Sequence, residues 1–555
     1  YLTNAASASI DFSDSDFKYM NLHGAWIREK HIEMAEVKKG FQGIESRRGA
    51  SSPNENPFMA IMRKDAVEDF GEVYGFSLVY SGNFKMLLEA ETYGTMRFQA
   101  GVNPHNFKWK LNKGEQFITP ELVMVYSKNG LGEMSRTFHR LYRRNLCRGI
   151  WRDKVRPILI NNWEATYFDF NEDKLINICK KASELGIELF VLDDGWFGKR
   201  NNDKSSLGDW FVNTDKLPGS LKGLSEKVDK LGMSFGLWVE PEMISEDSDL
   251  FRKHPDWALR IQGREMHEGR NQYVLDMGRD DVVAYLTDVF TAVLGSADIK
   301  YIKWDMNRCM SAPGSAFWCG ERQGEVMHRY ILGLYRVLET ITERFPNVLF
   351  ESCSGGGARF DPGMLYYMPQ TWTSDDSDAV ERLKIQYGTS VVYPYSAMGA
   401  HVSAVPNHQV GRITSFAMRC NVAMPGQFGF ELDLNGCSEK ELETAEKAIK
   451  DYRKYGEIFH KGDCYRLCSP FDSDICAVQF IAEDKNTVIL TVNSSKATPN
   501  APDEYIRLEG LDESACYRCE GTDKCFGGDY LMNVGWYFVN NIENKSSIII
   551  LKKEN

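Results

Sequence analysis

The chain has 555 residues, of which 43% are hydrophobic, 26% are charged and 12% are aromatic. At roughly 100–200 residues per domain, this length predicts about two to four domains with ample material for a large core. The net charge of −12 argues against a nucleic-acid-binding protein, which needs a basic surface. No apolar run approaches the ~20 residues of a transmembrane helix, so we expect no membrane partner.

The first 150 residues predict a mostly-β domain. Short β-rich segments at 76–80, 86–90 and 122–126 are separated by Gly, Asn and Lys turns. A helix-like segment at 132–147 leads the chain out of this domain. The long polar loop 48–57 has two interpretations: it is a solvated hairpin, or it reaches a binding site.

Residues 151–464 predict a (β/α)8 TIM barrel. From about 155 onward, strand-like segments alternate with helix-like segments such as 171–186, 379–386 and 408–419. Eight strands are predicted, at 156–163, 187–193, 234–240, 299–305, 347–353, 368–373, 390–396 and 424–430. Repeated strand–helix units with one functional end are typical of this α/β fold.

Residues 465–555 predict a small antiparallel C-terminal domain, with strands at 475–481, 487–492 and 548–551. The 13 cysteines of the chain are odd in number and scattered, which favours free thiols in a reducing compartment over a disulfide framework. Cys516, Cys519 and Cys525 have part of a zinc-site spacing but no credible fourth ligand nearby, so we expect no metal there.

Carboxylates and tryptophans lie where the predicted barrel strands end. In the segment Ile299–Arg308, strand alternation points Lys303 and Asp305 to one face and Trp304 to the other. Other polar or aromatic residues at strand ends are Trp163, Asp193, Asp194, Trp238, Glu240, Cys353, Ser374 and Asp375. The carboxyl ends of barrel strands form active sites, and cleavage of a glycosidic bond needs two carboxyl groups.

Six stretches carry a family resemblance: RGASSPNENPFMA (48–60), LDDGWFGKRNND (192–203), GLWVEPEM (236–243), YIKWDMNR (301–308), ESCSGGGARFDPGMLYYMPQTWTSDDSDAVERLKIQYGTS (351–390) and SAMGAHVSAVPNHQ (396–409). With them the chain resembles the family 36 glycoside hydrolases, specifically the bacterial retaining α-galactosidases, over nearly its whole length. The pair KWDMNR and WTSDDSD is the most specific part of this resemblance.

The resemblance implies that Asp305 is the nucleophile and Asp375 the general acid/base. Lys303 would keep the neighbouring Asp305 ionised, because a nearby cation favours the carboxylate. Asp375 must be protonated when the bond breaks, and a negatively charged site would raise its pKa. Retention of configuration predicts that the two carboxyl groups lie about 5–5.5 Å apart.

The resemblance also implies a set of galactose contacts and no metal or organic cofactor. Asp193 and Asp194 match the pair that binds the O4 and O6 hydroxyls, while Cys353 and Gly356 match the loop that faces the 2-hydroxyl. The further substrate contacts that it implies are Trp163, Trp238, Arg270 and Lys303.

Several of these carboxylates have structural alternatives. Asp305 could pair with Lys303 or Arg308, and Asp376 is a second candidate for the acid. Asp378 precedes a helix-like segment with Glu381 three residues on, which is typical of a helix capping box. Other residues with structural alternatives are Asp193 and Asp194 as caps, Cys353 as a buried thiol, and Glu240 and Glu242 in structural roles at strand ends.

Three functions are compatible with the sequence. The first is a retaining exo-α-galactosidase that hydrolyses raffinose-family oligosaccharides and melibiose through a covalent galactosyl-enzyme. The second is an α-N-acetylgalactosaminidase or a transgalactosidase on the same fold. The third is a non-catalytic galactoside-binding protein that truncation has inactivated.

The resemblance implies a homotetramer in which the loop 48–57 reaches a neighbouring active site. Residue 1 is Tyr and the opening segment is polar, unlike a signal peptide, so the chain is either processed or a fragment, and a leader that has been removed stays an alternative. The scattered cysteines favour a reducing compartment, and together with the resemblance they lead us to expect a cytoplasmic bacterial protein. The family's N-terminal β-supersandwich is larger than the segment that precedes the barrel here. We therefore expect an incomplete sandwich with an open sheet edge, which would favour aggregation.

Overall fold

The structure is a computed structural model, and it describes residues 1–318, 320–500 and 502–554. It begins with β1 (Ala5–Phe12), β2 (Phe17–Ala25), β3 (Arg28–Glu36), β4 (Gly40–Glu45), β5 (Glu55–Arg63), β6 (Val73–Val79), β7 (Phe84–Ala90), β8 (Met96–Val102) and β9 (Glu121–Ser127). These strands form two antiparallel sheets of order β1-β8-β7-β4 and β3-β2-β5-β6-β9. The predicted strands at 76–80, 86–90 and 122–126 are confirmed.

The two N-terminal sheets pack face to face because their strands alternate buried and exposed residues. In β7, Phe84, Met86 and Leu88 are buried while the residues between them are partly exposed. Phe76 of one sheet stacks on Phe98 of the other, with ring centroids 4.1 Å apart. The fold of this part is therefore a β-sandwich.

Helix α1 (Gly130–Leu141) follows the sandwich and continues as one π-helical turn at Tyr142–Leu146, close to the predicted helix at 132–147. Its buried face carries Leu131, Met134 and Phe138, which are spaced by three and four residues as on one side of a helix. Phe138 packs against Phe58 of the sandwich at 5.9 Å between ring centroids. The helix thus connects the sandwich to the rest of the chain.

A closed barrel of eight parallel strands forms the centre of the molecule. In chain order, with the hairpin β13/β14 outside the barrel, the strands are β10 (Leu159–Asn161), β11 (Leu189–Leu192), β12 (Ser234–Val239), β13 (Met243–Ile244), β14 (Tyr273–Val274), β15 (Ile299–Trp304), β16 (Leu349–Ser352), β17 (Gln370–Trp372), β18 (Met398–Ser403) and β19 (Gln427–Glu431). The predicted (β/α)8 barrel is confirmed.

Helices surround this barrel: α2 (Trp163–Thr166), α3 (Glu172–Leu185), α4 (Ser220–Asp229), α5 (Asp249–Lys253), α6 (Asp280–Gly295), α7 (Val326–Arg344), α8 (Pro362–Tyr367), α9 (Ala379–Thr389), α10 (Phe416–Ala423) and α11 (Glu439–Lys461). The helix predicted at 408–419 is displaced. Its N-cap is Ser415, whose hydroxyl accepts from the backbone N–H of Met418, so most of the predicted segment is loop.

The seventh predicted strand, at 390–396, is wrong. Residues 391–394 are a turn after α9, and the strand itself is β18. The β-branched and aromatic residues Val391, Val392 and Tyr393 reflect burial in the core rather than strand pairing. Pro394 has no N–H to donate to a ladder, which disfavours a central strand at this position.

After the barrel come β20 (Asp463–Cys468), β21 (Ile475–Ile481), β22 (Thr487–Ser494), β23 (Glu504–Ile506), β24 (Cys516–Cys519), β25 (Cys525–Gly527), α12 (Gly528–Asn533), β26 (Trp536–Phe538) and β27 (Ser546–Lys553). A six-stranded antiparallel sheet of order β20-β21-β22-β27-β24-β25 confirms the predicted C-terminal strands. Among the described residues, no helix is both long and apolar enough to span a membrane.

One cysteine expectation is corrected. Cys516 and Cys525 are joined as a disulfide across the paired strands β24 and β25, so these two residues are not free thiols. Their sulfurs therefore cannot serve as thiolate ligands for a metal in this state. The remaining cysteines of the described part of the chain are free.

Candidate active site

Strand alternation in β15 builds the centre of the site. Inside the barrel, Tyr301 packs with apolar residues of neighbouring strands in a small cluster of its own. Lys303 and Asp305 continue the same face toward the carboxyl ends of the strands and line a cavity there. Trp304 points the other way and packs on Phe290 of α6. The sequence-based orientation of these side chains is confirmed.

The cavity has a volume of about 120 Å³. It lies at the carboxyl ends of the barrel strands, where barrel enzymes have their active sites. The cavity is lined by Trp26, Trp163, Glu164, Asp193, Asp194, Trp238, Arg270, Lys303, Asp305, Asn307, Cys353, Trp372, Asp375, His408, Gln409 and Glu431. Nine of the ten residues that the resemblance implies therefore line one cavity, and Gly356 is the exception.

Asp305 is held by four N–H donors. Its Oδ2 accepts from Trp238 Nε1 at 3.1 Å and from Asn307 Nδ2 at 2.7 Å. Its Oδ1 accepts from the backbone N–H of Met306 at 2.8 Å and of Gly355 at 3.2 Å. Hydrogen bonds to a carboxylate are charge-assisted, so these donors fix the orientation of the side chain.

Lys303 pairs with Asp193 rather than with Asp305, which removes the ion pair with Lys303 as a structural alternative for Asp305. Lys303 Nζ lies 3.1 Å from Asp193 Oδ2, and Asn161 donates to the same oxygen at 2.6 Å. Both members of the ion pair are buried. Asp305 is therefore held by N–H donors of β12, of the residues after β15 and of the loop after β16 rather than by an ion pair with this lysine.

Asp375 follows β17 and receives two indole N–H groups. Trp26 donates to its Oδ2 at 3.0 Å, and Trp372 donates to its Oδ1 at 3.1 Å. Burial raises the pKa of Asp375, and the nearby carboxylate of Asp305 raises it further, against the lowering effect of the Trp26 hydrogen bond. A carboxyl group in this environment is suited to donating a proton.

The last of the four implied acidic residues, Asp194, forms a buried ion pair with Arg200. Arg200 donates from Nε to Asp194 Oδ1 at 3.0 Å and from Nη2 to Oδ2 at 2.9 Å. This two-pronged contact fixes the plane of the carboxylate. Neither Asp193 nor Asp194 is an N-cap of a described helix, which removes their main structural alternative.

Arg270 and Cys353 complete the implied set at the cavity wall. Arg270 donates to Asn307 Oδ1 at 3.1 Å, and its backbone has φ +53°. Cys353 is buried at the end of β16, and burial raises the pKa of its thiol, with a further rise from the carboxylate of Asp305. The thiol is therefore neutral at physiological pH and presents a small, weakly polar surface.

Gly356 lies behind Asp375 rather than on the cavity wall. Its backbone has φ +78°, and a Cβ atom there would come within 2.5 Å of the backbone nitrogen of Asp375 and 2.9 Å of Ser374 Cα. Only glycine adopts such a conformation readily and leaves space for this approach. Gly356 therefore allows the loop after β16 to pack against the loop that carries Asp375.

The structural alternatives for the remaining acidic residues are resolved by their contacts. Asp378 is the N-cap of α9 and accepts from the N–H groups of Val380 and Glu381. Asp376 accepts from the backbone N–H of Asp378 at 2.9 Å and does not line the cavity. The two strand-end glutamates also have buried partners: Glu242 pairs with Arg359 at 2.7 Å, and Glu240 accepts from Gln272 at 2.7 Å.

Sequence reasoning did not include seven of the lining residues. Four of them, Asn307, Trp372, His408 and Gln409, lie inside the quoted motifs YIKWDMNR, WTSDDSD and SAMGAHVSAVPNHQ, so those motifs could have indicated them. The turn between β2 and β3 that carries Trp26 has no motif, and no feature of the sequence pairs it with a loop 349 residues away. The other two residues that were not predicted are Glu164 and Glu431.

The polar loop 48–57 packs against the barrel of its own chain. Ala50, Ser51 and Ser52 are buried, and the Ser51 hydroxyl donates to Asp361. Pro53 lines a second cavity of about 370 Å³, which shares Trp26, Arg270 and Asn307 with the first. The loop is therefore not a solvated hairpin, and it borders the mouth of the site.

Family models match the chain along most of its length. The model described as the glycosyl hydrolase family 36 N-terminal domain matches residues 1–112, the model described as melibiase matches residues 116–462, and the family 36 C-terminal domain matches residues 475–551. The matched central segment coincides with the barrel that carries the cavity.

Two similar proteins are α-galactosidases. The α-galactosidase AgaA of Geobacillus stearothermophilus is 56% identical over 96% of this chain and 73% of its own length, and Mel36A of Lactobacillus acidophilus is 47% identical over 97% and 73%. The crystal structure of AgaA matches with a TM-score of 0.98 at 54% identity, over 100% of this chain and 77% of that chain. A variant of AgaA has been crystallised with raffinose. The chain belongs to glycosyl hydrolase family 36, among the α-galactosidases of that family.

Proposed function

We propose that this chain is a retaining exo-glycosidase that removes terminal α-galactosyl groups from raffinose-family oligosaccharides and melibiose. The observation that carries the proposal is the placement of Asp305 and Asp375 on the walls of one cavity, each fixed by N–H donors. The AgaA variants crystallised with raffinose and stachyose support the choice of substrate.

In the first step, a carboxylate oxygen of Asp305 attacks the anomeric carbon of the galactosyl group. The glycosidic C–O bond breaks, and Asp375 gives its proton to the leaving oxygen. The four N–H donors around Asp305 hold the nucleophile in one orientation, so little orientational entropy is lost on reaching the transition state. The raised pKa of Asp375 extends the pH range in which its proton is available.

In the second step, the carboxylate of Asp375 accepts a proton from water, and the water oxygen attacks the anomeric carbon. The ester C–O bond to Asp305 breaks, and Asp305 leaves as a carboxylate. Each step inverts the anomeric centre, so the released galactose has the α configuration of the substrate.

Asp193 and Asp194 serve in this proposal as acceptors for the O4 and O6 hydroxyls of galactose. Their partners Lys303 and Arg200 orient the carboxylates before substrate binds, which lowers the entropic cost of recognition. Trp163 lies half-buried at the edge of the cavity and offers an aromatic face to the sugar. A cavity closed below by the barrel core supports an exo mode, in which one terminal sugar enters.

Proton NMR of the reaction with raffinose tests this proposal. We expect α-galactose to appear first and to mutarotate to the equilibrium mixture later. Initial release of β-galactose would contradict the double-displacement mechanism. A parallel assay with the p-nitrophenyl glycosides of α-galactose and α-N-acetylgalactosamine separates the two substrate classes, and we expect turnover of the first only.

We also propose the division of the chain into units 1–150, 151–464 and 465–555, and assembly of the chain into a homotetramer. The three successive family matches support the order of the units, and family resemblance supports the tetramer. Multi-angle light scattering of the purified chain tests the assembly; a monomer at micromolar concentration would contradict it. The cytoplasmic location stays a prediction.

A further inference from the structure

A second polar cavity lies at the opposite end of the barrel from the active site. It has a volume of about 270 Å³, and it adjoins Arg156, which precedes β10, and Ser396, which precedes β18. We call it the basal cavity. It is lined by Arg143, Arg144, Arg152, Asp153, Lys154, Val155, Arg156, Ser396, His460, Lys461 and Glu483.

The basal cavity carries an excess of positive charge in a chain whose net charge is −12. Its lining includes six Lys or Arg residues and two carboxylates. Asp153 pairs with Arg152 at 2.7 Å, and Glu483 pairs with Arg144 at 3.3 Å. Lys461 pairs with Glu457, outside the lining. Among the described residues, no carboxylate lies within ion-pair distance of the remaining three cations, which are Arg143, Lys154 and Arg156.

Arg156 is the deepest of these cations, with 5% of its surface exposed. It donates to two backbone carbonyls, Lys154 O at 2.8 Å and Pro369 O at 3.5 Å, and its Nε has no partner among the described residues. A guanidinium has five N–H donors, so most of them are unused. Burial lowers the pKa of Arg156 to about 10, because a buried charge loses its hydration by water.

His460 adds a neutral polar group beside Arg156. Its ring is buried, and its Nδ1 has no partner in the described part of the chain. Burial, together with the charge of Arg156, lowers the pKa of His460 to about 3. Arg143 also reaches this corner and donates to the carbonyls of His460 and Gly462 at 3.0 and 3.2 Å.

We propose that the basal cavity binds a phosphate group, either as free phosphate or as the phosphate of a small metabolite. A buried arginine without a carboxylate partner is costly unless an anion offsets its charge. Arginine forks match the oxygens of a phosphate in charge and geometry. A cavity of about 270 Å³ greatly exceeds the ~10–15 Å³ that one water needs, so an anion of several heavy atoms fits.

Thermal unfolding and titration calorimetry of the full chain test this proposal. The probes are inorganic phosphate and a hexose monophosphate, with sodium chloride at matched ionic strength as the reference. A ligand that binds the folded state raises the Tm in a saturable manner, and we expect saturation with a Kd below about 1 mM. Tighter binding of the hexose monophosphate identifies a phosphorylated metabolite as the ligand, and equal or weaker binding identifies free phosphate.

Three variants locate the binding. Arg156→Met should weaken phosphate binding about tenfold or more, because it removes charge-assisted donors. Lys154→Gln changes an exposed lining residue and should weaken binding several-fold without affecting folding. The control Arg336→Gln changes an exposed arginine on α7 that pairs with Asp280, and it should leave binding unchanged.

Absence of a saturable phosphate effect beyond that of chloride would overturn the proposal. An unchanged Kd in both Arg156→Met and Lys154→Gln would also overturn it. If Arg156→Met does not fold by circular dichroism, Lys154→Gln decides the question. Binding is measured without turnover, so its failure is distinct from a failure of the proposed α-galactosidase activity.

Discussion

Trp26 donates its indole N–H to Asp375 at 3.0 Å, although 349 residues separate the two in sequence. The turn between β2 and β3 of the sandwich therefore reaches into the active site of the barrel. In the same turn region, Glu29 Oε2 accepts from the Ser374 hydroxyl at 2.6 Å. The N-terminal sandwich thus positions the loop that carries the proposed acid/base.

Replacement of Trp26 tests this contact. The indole hydrogen bond lowers the pKa of Asp375, so Trp26→Phe should raise that pKa further. Because Asp375 acts first in its protonated form, the alkaline limb of the pH profile of kcat/KM should move to higher pH. Loss of a hydrogen bond to the negative charge that develops on Asp375 as it donates its proton should also lower kcat/KM about tenfold or more. The control Trp151→Phe, at the far end of the barrel, should change neither the alkaline limb nor kcat/KM. An unshifted alkaline limb in Trp26→Phe would contradict the effect of Trp26 on the pKa of Asp375.

Gly356→Ala should impair proton donation. A Cβ at this position would come within 2.5 Å of the Asp375 nitrogen, so the loop that carries Asp375 must move. We expect a larger loss of kcat/KM for raffinose, whose leaving group needs a proton, than for p-nitrophenyl α-galactoside, whose leaving group does not, because kcat/KM reports the step in which the leaving group departs. Gly223→Ala is the control, because nothing lies within 4 Å of the added methyl group. Equal losses for both substrates would contradict this role of Gly356.

The buried Glu29 should make the free energy of unfolding depend on pH. Burial raises the pKa of Glu29 to about 7 from 4.5, so the folded state holds a proton that the unfolded state releases between these values. The contribution to stability is fully present below about pH 4.5 and is lost as the pH rises toward about 7, by at most about 1.4 kcal/mol per pH unit. Urea unfolding of Glu29→Gln should therefore show a weaker fall across this window than the parent. Glu33→Gln, an exposed change in the same strand, should follow the parent.

Arg359→Met should destabilise the fold. Arg359 and Glu242 form an ion pair in which neither side chain is exposed, and removal of one partner leaves a buried charge uncompensated. We expect a loss of about 3–5 kcal/mol in the free energy of unfolding. The surface pair of Arg336 and Asp280 is the comparison, since Arg336→Gln should cost no more than about 1 kcal/mol. Similar losses in the two variants would contradict a structural role for the buried pair.

Local patterns in the sequence predict the barrel and about half of the residues that line the cavity. The alternation in β15 correctly orients Lys303, Trp304 and Asp305, because neighbouring residues of a strand face opposite sides. The partner of Lys303 was not predictable in this way. Asp193 belongs to another strand, and only closure of the barrel brings the two together at 3.1 Å.

Long-range packing accounts for the remaining differences between the predicted and the observed structure. Val391, Val392 and Tyr393 have the composition of a strand because they are buried, and composition does not distinguish a buried turn from a buried strand. Trp26 lies in the turn between two strands of the sandwich, and no local pattern sets this turn apart from the other turns. Its contact with Asp375 depends on how the sandwich packs against the barrel. The hydrophobic periodicity of the sequence does not predict this packing.

The central claim is that Asp305 is the nucleophile of a retaining α-galactosidase. Hydrolysis of p-nitrophenyl α-galactoside by the parent chain and by Asp305→Gly, with and without azide, tests it most directly. We predict activity in the parent, loss of activity in Asp305→Gly, and rescue of this variant by azide with β-galactosyl azide as the product, because azide enters where the carboxylate was. Undiminished hydrolysis by Asp305→Gly, or rescue that yields α-galactosyl azide, would contradict the claim.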